Sequence, residues 1–513
     1  MTRDKLRVGL LIGGGDIGAS AKGLATWLAA HPGIAPVLMP AAAPRATPPA
    51  GGLRRLVDRL ETPRARKTHP DYGRRLPRDA LALPGAGDGP CDVILTDGET
   101  AIPPGMAARA RHGIWRIRRG EDGAGGFSDV LSDAPSTRLA IERRRDAEGP
   151  VEILAEGDLA TQKLWRVNDA LLEAKAQGIL RRLLDDLAGG QTPAVRRTRP
   201  DRAVKEPGRG DLLRYLARVW GPVLGGRAAA LPLGPATVRW SVAWQRTRAV
   251  PPPLDGFREI PNPPGRMLAD PFVITHRGRT AILAEDLFYS DDRGRISAIE
   301  MTGDGPGPAR VVLDEPFHLS FPFVFEAEGR VWMIPETAEA RQIRLYSCED
   351  FPFEWKLHAI LMDDVQAADT MLIAKDDRWF MLTNICSAGI GDQNSELHVF
   401  HGPRFDGTDW TPVSQGNPVV FDSLRSRNGG LLRRDGTWVR VNQIQARDHY
   451  GAGFGLNVIT KLDAEGYAEE RIETIDPGFA TGAVSSHHLH MSDGHAVVDY
   501  ARPARLKRLL AED

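Results

Sequence analysis

The feature that most constrains the fold is a hairpin-like pattern that occurs five times between residue 267 and the C-terminal region. In the first copy, an apolar run at 271–275 is followed by a turn at Arg277-Gly278 and a second apolar run at 280–284. The turn positions lie roughly 50–60 residues apart, a period typical of β-propeller blades rather than of helical repeats. They are Gly278, Gly329, Asp377, Gly436 and Gly494. We therefore predict five blades of antiparallel strands around a central axis.

Polar residues flank the copies at matching positions. Eight residues before each turn stand Asp270, Phe321, Asp369, Asn428 and Ser486, and seven residues after it stand Glu285, Glu336, Asn384, Gln443 and Ala501. The first strand of each propeller blade lines the axis, so equivalent positions from different blades meet at one mouth of the channel. Carboxyl groups brought together there can hold a sugar or divide acid and base roles. The alternative is that polar residues simply end strands, as they often do.

We assign the catalytic roles to the flanking carboxylates and the substrate-binding roles to their polar neighbours. The predicted catalytic residues are Asp270, Glu285, Glu336 and Asp369. The predicted substrate-binding residues are Asp286, His318, Ser320, Asn384, Arg427, Asn428, Gln443 and His488.

Several of these residues have an alternative role. His318 is either an axial acid or a structural histidine, and Arg427, with Arg425, either clamps an anionic group of the substrate or lies on the surface. His488 and His490 fall on one face of a strand, where they could chelate a metal. No other motif completes a tetrahedral set of ligands, so we predict no metal.

The composition excludes several classes of protein. A formal net charge of −1 over 513 residues gives no overall field that attracts nucleic acid. The three cysteines are scattered without metal-ligand spacing or a disulfide framework, which fits a reducing compartment. There is no long apolar run and no signal-peptide pattern, so we expect a cytoplasmic protein without a transmembrane segment. No motif requires a cofactor, and we predict none.

The first 190 residues have an α/β pattern. A buried-type strand at 6–12 precedes a Gly-rich turn and a helix at 19–31, and short strands follow at 36–39 and 92–96. This order predicts a Rossmann-like open sheet. The turn GGGDIG, Gly13 to Gly18, is either a phosphate cradle or a plain tight turn.

The chain between the two halves changes composition twice. Residues 158–190 have a strongly helical pattern, and the Pro- and Arg-rich segment 191–210 is typical of a linker. A short helix at 211–220 and a strand at 236–245 follow; such a strand can complete the last blade and remove its open edge. The predicted domains are 1–190, the linker with its helix and closing strand at 191–260, and the propeller at 261–508.

The stretch HGIWRIRRGEDGAGGFSDVL, which begins at His112, resembles the formyltransferase domain of the methionyl-tRNA formyltransferase family. That family has an Asn-x-His motif after a glycine, whereas Arg116 and Arg118 stand at the corresponding places after Gly113. A guanidinium group cannot take a proton at neutral pH, so the resemblance implies a degenerate domain. The two arginines either bind an anion, such as a phosphate or nucleotide, or form a solvated basic face.

The repeats carry a second resemblance. The blocks LADPFVI, DEPFHLSFPFVFE and MIPET are similar to the N-terminal domain of glucosamine inositolphosphorylceramide transferase and its bacterial relatives, over residues 267–502. In the plant enzyme a separate C-terminal glycosyltransferase domain transfers the sugar, and we expect this chain to lack that domain. The resemblance therefore implies a fold and a carbohydrate context rather than a defined activity.

In plan the propeller also resembles the five-bladed furanosidase-type glycosidases. Those enzymes place a base aspartate, a modulating aspartate and an acid glutamate around the axis. Asp270 corresponds to the base, but Phe321 and Asp369 stand where the modulator and the acid are expected. The resemblance leaves Glu336 or Glu285 to supply the acid from the end of a second strand.

Together these patterns predict a multidomain protein with an α/β Rossmann-like formyltransferase-type domain followed by an all-β five-bladed propeller. We predict that it acts on a glycosidic linkage, by transfer or hydrolysis, in glycolipid or surface polysaccharide metabolism. Its expected partner is a carbohydrate, a sugar nucleotide or a glycolipid. The alternatives are a non-catalytic glycan-binding module with a relic formyltransferase domain and, third, formyl transfer to an amino-sugar.

Overall fold

The computed structural model describes residues 4–40, 51–85, 89–96, 100–146, 149–221, 236–303, 305–387, 392–446, 449–505 and 509. The chain divides into two compact units, each with its own hydrophobic core. The first comprises Met1–Leu224 together with Ser387–Ile390, and the second comprises Gly225–Cys386 and Gly391–Asp513.

A mixed sheet forms the centre of the N-terminal unit. The strands of this unit are Leu6–Leu11 (β1), Ile17–Gly18 (β2), Ile34–Leu38 (β3), Arg75–Leu76 (β4), Val93–Thr96 (β5), Ile114–Arg119 (β6), Ser136–Arg144 (β7), Val151–Ala160 (β8) and Arg197–Arg199 (β9). Within the described residues the sheet order is β3-β1-β5-β6-β7-β8-β9, and β2 pairs with β4. The strands from β3 to β6 are parallel, and β7 to β9 continue the sheet antiparallel.

Helices cover this sheet. They are Ala19–Ala30 (α1), Gly52–Thr68 (α2), Phe127–Ser132 (α3), Trp165–Ala188 (α4) and Arg209–Tyr215 (α5), followed by a π-helical turn at Leu216–Trp220. The long α4 buries Leu172, Ala176, Ile179 and Leu183, whose spacing places them on one face of the helix. None of the described helices combines the length and apolarity that a bilayer-spanning segment needs.

The α/β class predicted for the N-terminal half is confirmed, but one element was assigned wrongly. The predicted helix from residue 158 begins only at Trp165, and 158–160 end strand β8. β8 pairs with β7 on one side and β9 on the other. These pairings, and the ion pair of Arg138 with Asp158 at 2.8 Å between β7 and β8, outweigh the local helical preference.

The Pro- and Arg-rich segment is held to the sheet. Arg197 on β9 donates to both carboxylate oxygens of Glu156, at 2.7 and 2.6 Å. Arg199 donates to Glu121 at 2.9 Å and lies 2.5 Å from Glu142. The later part of the predicted linker, at 222–235, lies outside the described residues.

The C-terminal unit is all-β. Its strands begin with Ala236–Arg246 (β10) and Arg258–Ile260 (β11). Then follow Arg266–His276 (β12), Arg279–Phe288 (β13), Arg293–Thr302 (β14), Gly305–Pro306 (β15), Arg310–Leu313 (β16), Ser320–Ala327 (β17), Arg330–Glu336 (β18), Gln342–Asp350 (β19) and Glu354–Asp363 (β20). The last are Ala367–Lys375 (β21), Arg378–Ile385 (β22), Glu396–Gly402 (β23), Thr411–Pro412 (β24), Val420–Phe421 (β25), Asn428–Arg434 (β26), Thr437–Ala446 (β27), His449–Leu462 (β28), Tyr467–Ile475 (β29), Leu489–Ser492 (β30) and His495–Arg505 (β31).

The described strands form the five predicted blades. Blade 1 contains β12–β16, blade 2 contains β17–β20, blade 3 contains β21–β25 and blade 4 contains β26–β29. In blade 5 the order is β30-β31-β10-β11, so a strand that precedes blade 1 in sequence completes the last blade. The innermost strands β12, β17, β21, β26 and β30 each contact the next, and β30 contacts β12, which closes the ring.

A β-bulge interrupts the innermost strand at the same end of blades 1 to 4. The register shifts lie between Ala269 and Phe272 and at the equivalent places of the other blades. In blades 1, 2 and 3 the first bulge residue has a positive φ: 49° at Asp270, 44° at Phe321 and 48° at Asp369. A bulge re-aims a side chain out of the regular alternation of a strand, so these three positions take up a special orientation.

Candidate active site at the propeller axis

Two carboxyl groups from neighbouring blades share one guanidinium group. Nε of Arg427, at the start of blade 4, donates to Asp369 Oδ2 at 2.6 Å, and its Nη2 lies 3.3 Å from Asp369 Oδ1. The same Nη2 lies 3.2 Å from Oε2 of Glu336, the last residue of β18. Arg427 therefore ties blades 2, 3 and 4 together at one end of the axis. A fork of this kind holds carboxylates in fixed positions.

Further donors fix Asp369. The amide of Gln443 donates to Asp369 Oδ2 at 3.0 Å, and Gln445 in turn donates to Gln443 at 2.8 Å. Asp369 is 1% exposed, while Glu336 and Arg427 keep 13% and 12% of their side chains exposed. The buried carboxylate is thus surrounded by donors, and Glu336 is the member of the pair that solvent or a ligand reaches.

The environment of Glu336 favours its protonated form. Burial and the nearby Asp369 raise the pKa of Glu336 to about 8, although the charge of Arg427 opposes the shift. The same two carboxylates raise the pKa of Arg427, outweighing the effect of burial. At neutral pH Glu336 is therefore a neutral carboxylic acid beside Asp369 and Arg427, which contact each other at 2.6 Å. Such a neutral acid can donate a proton to a ligand.

Asp270 lies on the blade 1 side of the same end of the axis. Its backbone N–H donates to Asp499 Oδ2 at 3.2 Å, and its Oδ1 lies 3.4 Å from Nε2 of His487. Burial raises the pKa of Asp270 well above its ordinary value; the charge of His487 opposes the shift, and Glu285 and Asp369 add to it. Asp270 thus shares an electrostatic environment with the carboxylates of the other blades.

His487 connects Asp270 to a second buried carboxylate. Its Nδ1 lies 2.7 Å from Asp499 Oδ2, while Asp499 Oδ1 accepts the backbone N–H groups of His487 and His488 at 3.0 and 3.1 Å. Burial disfavours the charged imidazole, but Asp499 and Asp270 outweigh that effect and raise the pKa of His487 to about 9. The imidazole of His487 therefore lies between the carboxyl groups of Asp270 and Asp499.

A second histidine–carboxylate pair lies nearer to the solvent. Nε2 of His318 is 3.3 Å from Oε1 of Glu285, and its Nδ1 accepts the backbone N–H of Gly294 at 3.1 Å. Burial opposes protonation, but Glu285, together with the charges of Glu336 and Asp270, raises the pKa of His318 to about 9. Since its side chain is 36% exposed, His318 lies within reach of a ligand at the rim of the site.

Aromatic rings border the blade 5 side. Tyr450 is 45% exposed, its ring lies 5.2 Å from the imidazole of His487, and the guanidinium of Arg427 lies 5.9 Å from its centroid. Trp240 on β10 packs against His487 at 4.2 Å. An exposed aromatic ring beside polar hydrogen-bonding groups suits the apolar face of a sugar ring.

The structure brings the four predicted catalytic residues together. Asp270, Glu336 and Asp369 interact electrostatically, and Glu285 joins them through Asp270 and His318. Gln443 contacts this group directly, and Ser320 lies opposite Glu336 in the strand register.

Three other predicted substrate-binding residues serve the scaffold. The amide of Asn384 donates to the carbonyl oxygens of Glu396 and Ser426, and the amide of Asn428 donates to those of Asp369 and Leu382. Asp286 accepts from Arg266 at 2.9 Å and from Ser297 at 2.6 Å. All three residues are fully buried. These bonds join strands and blades, which is a different role from the predicted contact with substrate.

His488 is also buried, and it packs between the rings of Phe272 and Phe321 at 4.5 and 5.4 Å. Burial lowers its pKa well below the ordinary value. The strand alternation that paired His488 with His490 in the sequence left out His487, which is the histidine that reaches the carboxylates. Asp499 was also missed, because it lies two residues before the aligned Ala501 on β31, and Tyr450 was missed because it lies on β28, outside the repeated hairpins.

Among the described residues, the group with the spacing of a metal site is Asp270, His487 and Asp499, whose potential ligand atoms lie within 4.8 Å of one another. His487 uses Nδ1 toward Asp499 and Nε2 toward Asp270. Each nitrogen of the imidazole therefore faces one of the two carboxyl groups.

The two arginines of the predicted anion site have internal acceptors. Arg116 donates to Glu142 at 2.6 Å and also contacts Asp201, and Arg118 donates to the carbonyl oxygens of Arg202 and Glu121 at 2.8 and 2.5 Å. An anion would have to compete with these groups, so a site at Arg116 and Arg118 stays a prediction.

Comparison with known proteins identifies the propeller half. Residues 259–485 match the model of the family described as glucosamine inositolphosphorylceramide transferase 1, N-terminal. The resemblance inferred from the sequence is confirmed for this half of the chain. The match begins at residue 259, so the formyltransferase resemblance of the N-terminal unit rests on the sequence pattern alone.

Curated relatives bear the same name, glucosamine inositolphosphorylceramide transferase 1. The relative from Arabidopsis thaliana is 30% identical over 214 residues, which cover 41% of this chain and 28% of the relative. The relative from Oryza sativa subsp. japonica is 31% identical over 211 residues, which cover 40% of this chain and 28% of the relative. The chain thus spans 28% of the length of these relatives.

Solved structures of sugar hydrolases overlap the chain more distantly. An α-L-arabinofuranosidase from Lactobacillus brevis is 12% identical with a TM-score of 0.34, over 47% of this chain and 92% of that chain. An α-L-arabinofuranosidase from Podospora anserina is 10% identical with a TM-score of 0.33, over 46% and 91% of the two chains. The five-bladed plan itself stands on the strand pairing of this chain.

Proposed function

We propose that the end of the propeller axis that carries Asp270 and Glu336 is an active site that acts on a glycosidic linkage, by transfer or hydrolysis. The observation that supports this most strongly is the position of Glu336, 3.2 Å from the guanidinium that also binds Asp369, where burial and Asp369 raise the pKa of Glu336 to about 8. Cleavage of a glycosidic bond needs two carboxyl groups of the protein beside the substrate. One is an acid that keeps its proton at neutral pH, and the other acts as base or nucleophile. Asp270 supplies the second group.

Each residue then has a defined role. Glu336 donates its proton to the leaving-group oxygen, and Asp369 keeps the pKa of Glu336 high while Arg427 fixes both carboxyl groups. Asp270 acts as base or nucleophile, and the charge of His487, which Asp499 holds in place, favours the ionised form of Asp270. The distance between the carboxyl groups of Asp270 and Glu336 when substrate is bound decides between inversion and retention at the sugar carbon.

The substrate class that we propose is a sugar attached to a lipid or to a surface glycan. The name shared by the curated relatives specifies a glycolipid, and the family match over residues 259–485 includes Asp270, Glu336 and Asp369 of the axial site. The imidazole of His318 and the exposed ring of Tyr450 at the rim suit a sugar substrate.

The test compares carboxyl-to-amide variants across a panel of sugar-nucleotide donors and aryl glycosides. Asp270→Asn and Glu336→Gln should each lower turnover by about 10²–10⁴-fold. The matched control is Glu326→Gln, an exposed carboxyl on blade 2 that pairs with His276 and should leave turnover unchanged. The Glu336→Gln defect should shrink on aryl glycosides with acidic leaving groups, because these need no proton.

If both axial variants turn over a substrate at the wild-type rate, the assigned catalytic residues are wrong. A second candidate, a non-catalytic glycan-binding module, is favoured by the internal pairing of the polar groups, since Arg427 already satisfies Asp369 and Glu336. That function is indicated if no substrate is turned over while glycans bind the wild type and bind Asp270→Asn more weakly.

A further inference from the structure

The N-terminal unit contains a crevice that the proposed function does not use. In the sheet order β3-β1-β5-β6, the chain moves from β1 outward to β3 and later crosses back to β5 on the other side of β1. The carboxyl ends of β1 and β5 therefore mark a topological switch point. Open α/β sheets bind their ligands in the crevice outside the strand ends at such a point.

A cavity of about 550 Å³ occupies this place. It is lined by the segment after β1, from Ile12 to Ala21, by Thr100 after β5 and by Arg119 at the end of β6. Tyr72 and the α4 residue Asp169 close its other side. Its volume lies within the range of cavities that bind metabolites of nucleotide size.

The floor of the cavity is a fixed polar network. Arg119 Nε donates to Asp169 Oδ1 at 2.7 Å, and the hydroxyl of Tyr72 donates to Asp169 Oδ2 at 2.7 Å. Arg166 lies 3.8 Å from the same Oδ2 and donates to Asp58 at 2.7 Å. Asp169 is 5% exposed. Arg119 is therefore held by its Nε, and within the described part of the chain its two terminal nitrogens make no hydrogen bond.

The charges on the wall are mixed. The arginines are Arg54, Arg74, Arg75, Arg119 and Arg166, and the acidic residues are Asp16, Asp58, Asp169 and Glu173. A held guanidinium with free terminal nitrogens suits a phosphoryl group, for which Arg has a matching fork. Carboxylates on the same wall accept hydrogen bonds from the hydroxyl groups of a sugar, as acidic residues do beside a ribose in dinucleotide sites.

We infer that this cavity binds a phosphorylated sugar compound, either a nucleoside diphosphate or a sugar phosphate. The phosphoryl group lies against Arg119 and the Gly13–Gly15 segment, and the hydroxyl groups face Asp58 and Glu173. This site is separate from the axial carboxylates of the propeller and does not depend on the function proposed for them.

Gly15 allows a test that leaves the buried network intact. Its backbone has no positive φ, and nothing lies within 4 Å of the position that a Cβ would occupy, so a side chain is accommodated there. Gly15→Asp places a negative charge in the cavity, and Gly15→Ala adds the Cβ without the charge. Replacing Arg119 instead would leave the buried Asp169 carboxylate with one fewer partner and risk unfolding.

The experiment is calorimetric titration of the full chain with UDP, ADP, glucose 1-phosphate, glucosamine 6-phosphate, pyrophosphate and uridine. We expect at least one phosphorylated sugar compound to bind more tightly than pyrophosphate and than uridine, and the identity of that compound distinguishes a nucleotide from a sugar phosphate. Gly15→Ala should keep its Kd, and Gly15→Asp should weaken binding by at least about tenfold.

Three results would overturn the inference: no phosphorylated compound binds, pyrophosphate binds as tightly as every sugar compound, or Gly15→Asp binds like Gly15→Ala. Circular dichroism and thermal unfolding of both variants verify that they are folded. Loss of axial turnover in Asp270→Asn leaves this result unchanged, so the two proposals fail separately.

Discussion

Arg427 is the residue on which the electrostatics of the axial site depend. Its guanidinium contacts Asp369 at 2.6 Å and Glu336 at 3.2 Å, and its charge lowers the pKa of Glu336 against the effects of burial and of Asp369. The pKa of the proposed acid Glu336 is therefore about 8, because burial and Asp369 raise it while Arg427 lowers it.

Turnover should accordingly decrease as the pH rises through about 8, because Glu336 then loses the proton that it donates. In Arg427→Gln the opposing charge is gone, so the alkaline limb should move to higher pH. The maximal rate should decrease by about tenfold or more, since Glu336 and Asp369 lose their common anchor. The measurement is the pH dependence of kcat and kcat/KM on the substrate found by the panel.

Arg425 provides the matched control. It lies two residues earlier, is 39% exposed and faces Glu469 at 3.7 Å instead of the axial carboxylates. Arg425→Gln should keep the alkaline limb of the wild type. An unchanged limb in Arg427→Gln would show that the titrating acid is a group other than Glu336.

Among single residues, the sequence predicted the carboxylates of the axial site better than its amides and histidines. The repeat period predicted Asp270, Glu336 and Asp369, because equivalent positions of blades must converge on the axis. The same period also selected Asn384 and Asn428, whose side chains bond to backbone carbonyl oxygens between strands. Strand periodicity shows which residues share a face, and the bulges then alter that face locally.

The inner strand of blade 5 carries a pH sensitivity of its own. His490 on β30 is buried against the ring of Phe272 at 4.8 Å, and burial lowers its pKa to about 4. Unfolding exposes the imidazole and returns its pKa to about 6.5. The unfolded chain then binds more protons than the native protein below that pH, so the native state loses stability as the pH falls from about 6.5 to about 4.

We expect His490→Gln to reduce this dependence, because an amide does not titrate. The free energy of unfolding of the wild type should decrease by at most about 3 kcal/mol through this residue, and the variant should have a flatter profile. Urea unfolding at several pH values measures the difference. His449→Gln, on an exposed position of β28, should keep the wild-type slope; an equal slope in His490→Gln would contradict the assignment.

The elements themselves were predictable to different degrees. The hairpins of the blades have short turns and strong apolar runs, so β12 to β31 largely follow the repeat. In the N-terminal unit, β7 and β8 were missed, because their stability comes from pairing with strands that lie elsewhere in the sequence. The helix predicted from residue 158 was wrong for the same reason, because strand pairing outweighs the local preference of these residues for a helix.

At the scale of the whole C-terminal unit, ring closure depends on β10. This strand pairs with β31 over its full length from Ala236 to Arg246 and places an N-terminal segment inside the last blade. Val242 is fully buried and pairs with both Asp499 on β31 and Ile260 on β11. The sequence predicted the closing strand from its position before the first repeat.

Val242→Pro should remove a ladder hydrogen bond at the centre of blade 5, at a cost of about 2–3 kcal/mol. The melting temperature of the unit should decrease by roughly 4–10 °C. Thr237 lies near the end of β10, where this strand pairs with β31 alone. Thr237→Pro should therefore lower the melting temperature much less. Equal melting temperatures for both variants in scanning calorimetry would show that β10 does not close the ring cooperatively.

The bond from the Asp270 backbone N–H to the Asp499 carboxylate joins residues 229 positions apart in the chain. During synthesis, Asp270 leaves the ribosome long before the partner that orients it. A nascent polypeptide therefore lacks the bond that orients Asp270 until Asp499 has been translated, and a product that terminates before Asp499 should lack the base that we propose.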